Sequence, residues 1–283
     1  MRARHAFLKA RRFFLVLWDA IRRFNRNDGA AMAGFVAFSC LLSIFPFLIF
    51  ATALTGLIVG PDNTDAVIEA LFEIAPEHMA RTLEPVVGEV LQGRSNSVLT
   101  ISVLFAIYVA SNAVDSIRMA FDRAYLVRPD PFFLNRIRAI GFVMVGAIVA
   151  ALLGFTILLS PLLIRLATEL LHVQVPGITG YLTYAFGLAV FVSFAWGMHR
   201  FLPGRRLSRS IRLWPGVILT ALLWIIAATA FSTYLSYAPS YAVTYGTLAG
   251  VIITLMFFYI TGMVIIFGAE FNAALNRMQP DGS

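Results

Sequence analysis

The chain has 283 residues, 59% of them hydrophobic and 13% charged, with a mean hydropathy of +0.81. Soluble domains run at roughly half apolar and a quarter charged, so a water-soluble fold is excluded for most of the chain and lipid must replace water as its solvent. A net charge of +7 and a pI near 10.0 would suit a nucleic-acid binder, but the placement of that charge, given below, assigns it to membrane topology, and no nucleic-acid partner is expected.

Residues 1–27 come first, and they are basic. Phe7, Phe14, Trp18, Ile21 and Leu15 recur at three- and four-residue steps with arginines between them. The pattern predicts a cytoplasmic amphipathic helix lying in the head-group region. A helix covering the cytoplasmic mouth of a bundle fits the same pattern, and the two readings are compatible. The basic segment lacks a short apolar core followed by a small-residue cleavage site, so no cleavable signal is expected.

The first charge-free apolar run spans 30–60, longer than the roughly 20 residues a crossing needs. A bend at Pro46 is expected, since proline removes a backbone hydrogen bond. Cys40 is the only cysteine, so neither an internal disulfide nor a cysteine metal cluster can form. Residues 61–97 carry seven acids and two arginines, with Pro76 and Pro85 breaking the segment into short amphipathic helices. This exterior segment reads as a solvated face on the outer leaflet, with a cationic-ligand surface as the alternative. Further spans follow near 98–114, 137–164, 178–198, 213–237 and 245–271. Pro215 falls in the first turn of the fifth span, where proline is tolerated.

The fold expected is therefore all-α: one transmembrane domain over 1–283 with six membrane-spanning helices. Of the 22 basic residues, 19 fall in the N-terminal segment, the 115–138 and 199–212 connections and the C-terminal tail, against three in the alternate segments. The positive-inside rule puts the 19, and both termini, in the cytoplasm.

Few groups offer chemistry. His5, His78, His172 and His199 lie in four different segments without ligand spacing, and no phosphate-binding loop or nucleophile elbow is present. No cofactor, metal or catalytic residue is expected, and an enzyme is the least favoured reading. Polar residues entering the spans are the functional suspects. Asn112, Asp115 and Arg118 follow at three-residue steps on one helix face. Glu270 and Asn272 follow Gly268 and Ala269 in the last span. Asn27 and Asp28 open the first span, where either could cap the helix, and Ser39 and Ser43 sit one turn apart before Pro46. These residues either fasten the cytoplasmic side, Asp115 and Glu270 pairing with loop arginines such as Arg118 or Arg123, or line a substrate path. Gly246 and Gly250 form a small-residue pair that permits close helix approach; it is compatible with a homodimer and leaves the oligomeric state open.

Four stretches carry a family resemblance. Tyr245–Leu275, YGTLAGVIITLMFFYITGMVIIFGAEFNAAL, resembles the closing signature of the YihY/BrkB membrane family. AAMAGFVAFSCLLSIFPFLIF, within Asn27–Phe50, resembles that family's first span. FDRAYLV at Phe121–Val127 and RLWPGVILTALLW at Arg212–Trp224 sit where the family has them. Thr247 stands where serine is usual and Phe271 where leucine is usual. The resemblance implies a six-span protein of the bacterial inner membrane. Some members of the family have been called ribonuclease BN, a label that nothing in these residues supports. Others are linked to serum resistance and to lipid or lipopolysaccharide export.

Three functions are carried forward. The first is movement or flipping of a lipid-like or other amphiphilic substrate, with membrane lipids as partners. Charge-free span centres and a basic cytoplasmic rim motivate it. The span centres hold no coupling acid and the chain no ATP motif, so facilitated movement is its simplest form. The second is a non-transporting scaffold or regulator of envelope processes, binding through 61–97 or 2–26. The third is an intramembrane enzyme acting through Asp115 or Glu270.

Overall fold

The computed structural model describes residues 2–59, 96–149, 178–204, 211–237 and 248–278. Among them the secondary structure is helical only. The helices are α1 (Arg2–Arg26), α2 (Gly29–Val59), α3 (Asn96–Tyr125), α4 (described over Phe132–Val149), α5 (Ile178–Phe201), α6 (Trp214–Ser236) and α7 (Leu248–Arg277). The segment 61–97 lies outside the described residues except for the start of α3, as does Gly246.

Three helices, α4, α6 and α7, are long and apolar enough over their described residues to cross a membrane; counting Arg11–Arg26 and Gly29–Ile44 as one bent span makes four. The two parts of that pair meet at 64°. The turn at Asn27–Asp28 makes the bend, with Asp28 at φ 58°, a left-handed conformation that aspartate tolerates better than most residues. The helical assignment of α2 runs without interruption through Pro46.

α1 turns one face to the bundle and one away from it. Val16 and Ala20 are buried against Phe271 and Ala274 of α7, while Phe13, Phe14, Leu15 and Trp18 are each close to half exposed or more.

α7 is the hub, packing on α1, α2, α3 and α6. Its small residues explain the close approaches. Ala33 of α2 lies 3.2 Å from where a Cβ of Gly262 would stand. A Cβ on Gly268 would collide with Thr220 of α6, and one on Gly216 of α6 would collide with the Gly268 carbonyl and the Asn272 side chain. Small residues thus set helix spacing here, and the observed pair is Gly216 and Gly268.

The apolar core sits at the end of the bundle where α3 and α5 finish. Val36, Ile117, Phe121, Ala124, Met198, Leu202 and Ala269 form its centre, drawn from α2, α3, α5 and its following turn, and α7. Toward the opposite end, α3 exposes Ile101, Leu104 and Phe105 at 58–67%, as expected of a lipid-facing surface. α3 stops at Leu126, which takes φ 53°. The Val127 N–H bonds the Asp122 carbonyl and the Leu126 N–H that of Arg123. This is the left-handed helix ending that glycine usually makes.

Candidate functional site

Two features stand out: a polar layer that ties the helices together at the core end, and a groove between α4 and α5.

The polar layer centres on Glu270, 1% exposed, in the penultimate turns of α7. Arg23 of α1, also buried, donates from Nε to Glu270 Oε2 at 3.1 Å, and Asn27 Nδ2 donates to Oε1 at 2.6 Å. A second Arg23 nitrogen donates to the Ala124 carbonyl at 2.6 Å. One carboxylate therefore joins α1, the α1–α2 turn, α3 and α7.

Asn272, two residues on, performs the same service for α6. Its Oδ1 accepts the Gly216 N–H at 2.7 Å and its Nδ2 donates to the Leu213 carbonyl at 2.7 Å. The first turn of any helix has N–H groups without intrahelical partners. α6 begins at Leu213 with no side-chain cap and a proline in its first turn, so the carboxamide of α7 replaces a local cap.

On α3, Arg118 is held between Asp115, at 2.7 Å, and Asp122, at 2.5 Å. The other Asp122 oxygen accepts the Gly204 N–H at 2.9 Å, linking α3 to the turn after α5. Burial pushes the Asp122 carboxyl above the usual carboxylate range, with the Gly204 N–H and Arg118 acting against that rise. Tyr125 and His199 Nδ1 are 3.0 Å apart, and the imidazole stacks on Phe121 at 4.7 Å. The buried His199 Nε2, Thr220 Oγ1 and Asn135 Oδ1 have no hydrogen-bond partner among the described residues.

The residues singled out from the sequence fall in different places. Asp115 and Arg118 pair with each other. Asn112 accepts from Arg136 of α4 at 2.8 Å, and that guanidinium also lies 4.0 Å over the Tyr108 ring. Glu270 pairs with Arg23 of α1, not with a loop arginine. Asp28 does not cap α2 with its side chain: its carbonyl accepts the Met32 N–H, and its carboxylate faces Arg123 at 3.3 Å in an exposed pair. Ser43 bonds the Cys40 carbonyl of its own helix at 2.7 Å. Ser39 is half-buried. Arg23, Asp122, Tyr125 and His199 belong to the layer and were not singled out as sites from the sequence.

The groove encloses about 970 Å³ between α4 and α5. α4 contributes Arg138, Gly141, Phe142 and Val145; α5 contributes Phe186, Val190, Ser193 and Gly197, then Arg200 near its end. None of Asn112, Asp115, Arg118, Glu270, Asn272, Asp28, Ser39 or Ser43 lines it. Most of the trough is apolar, and its two arginines line it from the second turn of α4 and the last turn of α5, with Pro203 and Gly204 beside them. Val145, Phe186 and Phe201 on its margin are 46–57% exposed, so it opens to the surroundings.

The family description "Virulence factor BrkB" matches residues 20–283. The chain belongs to the BrkB family. Its curated relatives include the "Putative ribonuclease-like protein YfkH" of Bacillus subtilis, 29% identical over 92% of this chain and 95% of that protein. The "UPF0761 membrane protein PSHAa0171" of Pseudoalteromonas translucida is 23% identical over 86% of this chain and 80% of that one. No solved structure matches. Membership makes this a membrane protein of the BrkB type, in agreement with the sequence resemblance. The family match takes in α2 to α7 and only the last turns of α1.

Proposed function

We propose that this BrkB-family chain is a six-span protein of the bacterial inner membrane, with both termini in the cytoplasm, that moves a lipid-like amphiphile between leaflets. The observation that carries the reading is the α4–α5 groove, apolar along its length and cationic at one end. An amphiphile needs both surfaces: somewhere dry for its chains and a polar shelf for its head group.

The remaining features have roles consistent with this. The basic segments 115–138 and 199–212 put the cationic end of the groove at the cytoplasmic face. α1 lies on that face, with Phe13, Phe14 and Trp18 turned toward the acyl boundary. The layer around Glu270, Asn272 and Arg118 fastens the helices there and does not contact the substrate. No catalytic role is assigned, and the ribonuclease-like name of YfkH is not carried over.

The test is reconstitution into liposomes containing phospholipids fluorescently labelled on the chain or on the head group. Leaflet exchange faster than in protein-free liposomes is expected for at least one lipid class. Equal rates across all classes would refute movement of lipid. For topology, a reporter fused at residue 80 or 240 is expected to read as exterior; a cytoplasmic reading at either would overturn the six-span arrangement.

A further inference from the structure

The groove's chemistry is asymmetric enough to name a ligand class. We propose that it binds an anionic phospholipid, the phosphate at Arg200 and an acyl chain along the trough; the inference deepens the amphiphile reading above and rests on it.

Length comes first. From Phe186 to Arg200 the lining follows one face of α5 for fourteen residues, about 21 Å at 1.5 Å per residue. One leaflet contributes about 15 Å of hydrocarbon, half of the roughly 30 Å core. The trough therefore matches the apolar depth of one leaflet with a head-group shelf beyond it.

Its width comes from missing side chains. A Cβ built on Gly141 or on Gly197 would meet no atom of the described residues within 4 Å beyond its own helix. Both glycines line the groove, on α4 and α5. Open space where a side chain could stand is what a guest chain requires.

The two arginines differ in what they offer. Arg138 is engaged: its Nη1 lies 2.7 Å from Asp130 and donates to the Pro203 carbonyl at 3.4 Å. That pair is neutral, and it fixes the floor of the shelf. Arg200 makes no ion pair with a described residue; its guanidinium lies 5.9 Å from the Phe201 ring centroid. A cation without a counter-charge beside an apolar trough is costly in a membrane unless it reaches a head group. Guanidinium is matched in geometry to phosphate oxygens. Two acids border the shelf among the described residues, and both are engaged: Asp130 faces Arg138, and Asp122 holds Arg118 and the Gly204 N–H, so neither is left to receive the ammonium of a zwitterionic head group. The balance favours a net negative lipid.

The experiment uses the full chain, delipidated in dodecyl maltoside and titrated with dioleoyl phosphatidylglycerol or dioleoyl phosphatidylcholine, with bound lipid counted by native mass spectrometry. Phosphatidylglycerol is expected to bind at least about ten-fold more tightly, because its head group brings no ammonium next to Arg200. Arg200→Gln should remove that preference, weakening phosphatidylglycerol more than phosphatidylcholine. Gly197→Leu, which fills the trough and spares both arginines, should weaken both lipids alike. No preference in the native chain, or a preference that survives Arg200→Gln, would overturn the site. Displacement by glycerol phosphate as effective as by the lipid would also overturn it, because the trough would then be idle. A lipid-free dimer broken by Gly197→Leu would give the trough to a second copy of the chain instead. Binding and movement are read separately. Selective binding without leaflet exchange refutes the transport reading and leaves the site standing; exchange without selectivity does the reverse.

Discussion

Removing Glu270 tests whether the polar layer holds the bundle. In Glu270→Ala, Arg23 keeps a guanidinium that is 3% exposed, with the Ala124 carbonyl as its remaining acceptor. Asn27 Nδ2 loses its acceptor as well. Two scales compete for the size of the effect. Polar contacts between helices in lipid average about 0.6 kcal/mol, because the unfolded chain in the membrane finds substitute partners. Breaking a buried ion pair from one side costs about 3–5 kcal/mol, because the surviving charge has nothing to offset its desolvation. Burial of both partners to 3% or less decides for the second scale. The expected loss is thus about 4 kcal/mol. The assay is reversible unfolding of the purified chain in mixed micelles, titrated with dodecyl sulfate and followed by tryptophan fluorescence. Arg23→Met with Glu270→Met should recover most of the loss that Glu270→Met shows alone, since the double change leaves no orphan charge, so the methionine cycle should show a coupling of about 2 kcal/mol or more. A single-variant loss under about 1 kcal/mol, or additive singles, would refute the account and place the pair among ordinary membrane polar contacts.

Two further outcomes follow from the α6–α7 contact and are read in the same unfolding assay. Gly268→Val should cost about 3 kcal/mol or more, because its Cβ would enter the space of Thr220 and the Gly216 carbonyl; Gly34→Ala, where nothing lies within 4 Å, should change stability by no more than about 1 kcal/mol. Asn272→Leu strands the buried Gly216 N–H, at about 1–3 kcal/mol, and leaves the Leu213 carbonyl with the Val217 N–H alone; it should loosen the first turn of α6, seen as faster amide exchange at Gly216.

The parts of the site legible in the sequence are those within one helix. Asn112, Asp115 and Arg118 share a face because three-residue steps fix their direction, and the Asp115–Arg118 pair follows from that spacing. Asp122 continues the face one turn later. It lies beyond the end of the apolar run, where hydropathy no longer marks a span. The partner of Glu270 lay 247 residues away, and no spacing rule reports on a contact formed by docking α1 against α7. Gly268 was visible as a small residue, but the helix it meets depends on the whole packing. The groove left a faint trace: Ala189, Ser193 and Gly197 form a small-residue row at four-residue steps on α5. Small-residue spacing permits close helix approach or open space alike, and the structure shows open space beside Gly197.

The arginines carry two signals at once, and these can be separated. Orientation depends on a bias of 19 basic residues against three, so losing any one of the 19 barely changes it. Fastening depends on position, and one loss is enough to break it. Arg118 is the residue to ask. It is 7% exposed, clamped between Asp115 and Asp122, and through Asp122 it supports the turn at Gly204. Arg118→Met leaves two carboxylates on one face of α3, two turns apart, with no cation between them, and Asp122 is buried. The expected result is a loss of about 3 kcal/mol or more, with a reporter at residue 240 still reading as exterior. If the reporter flips while the folded fraction holds, Arg118 is a topology determinant and not a fastener. If neither changes, the clamp is decorative, and the division of labour between charge count and charge position is wrong. Asp122→Asn on the same background should return part of the stability by removing the buried unpaired charge, a recovery that a pure topology effect cannot produce.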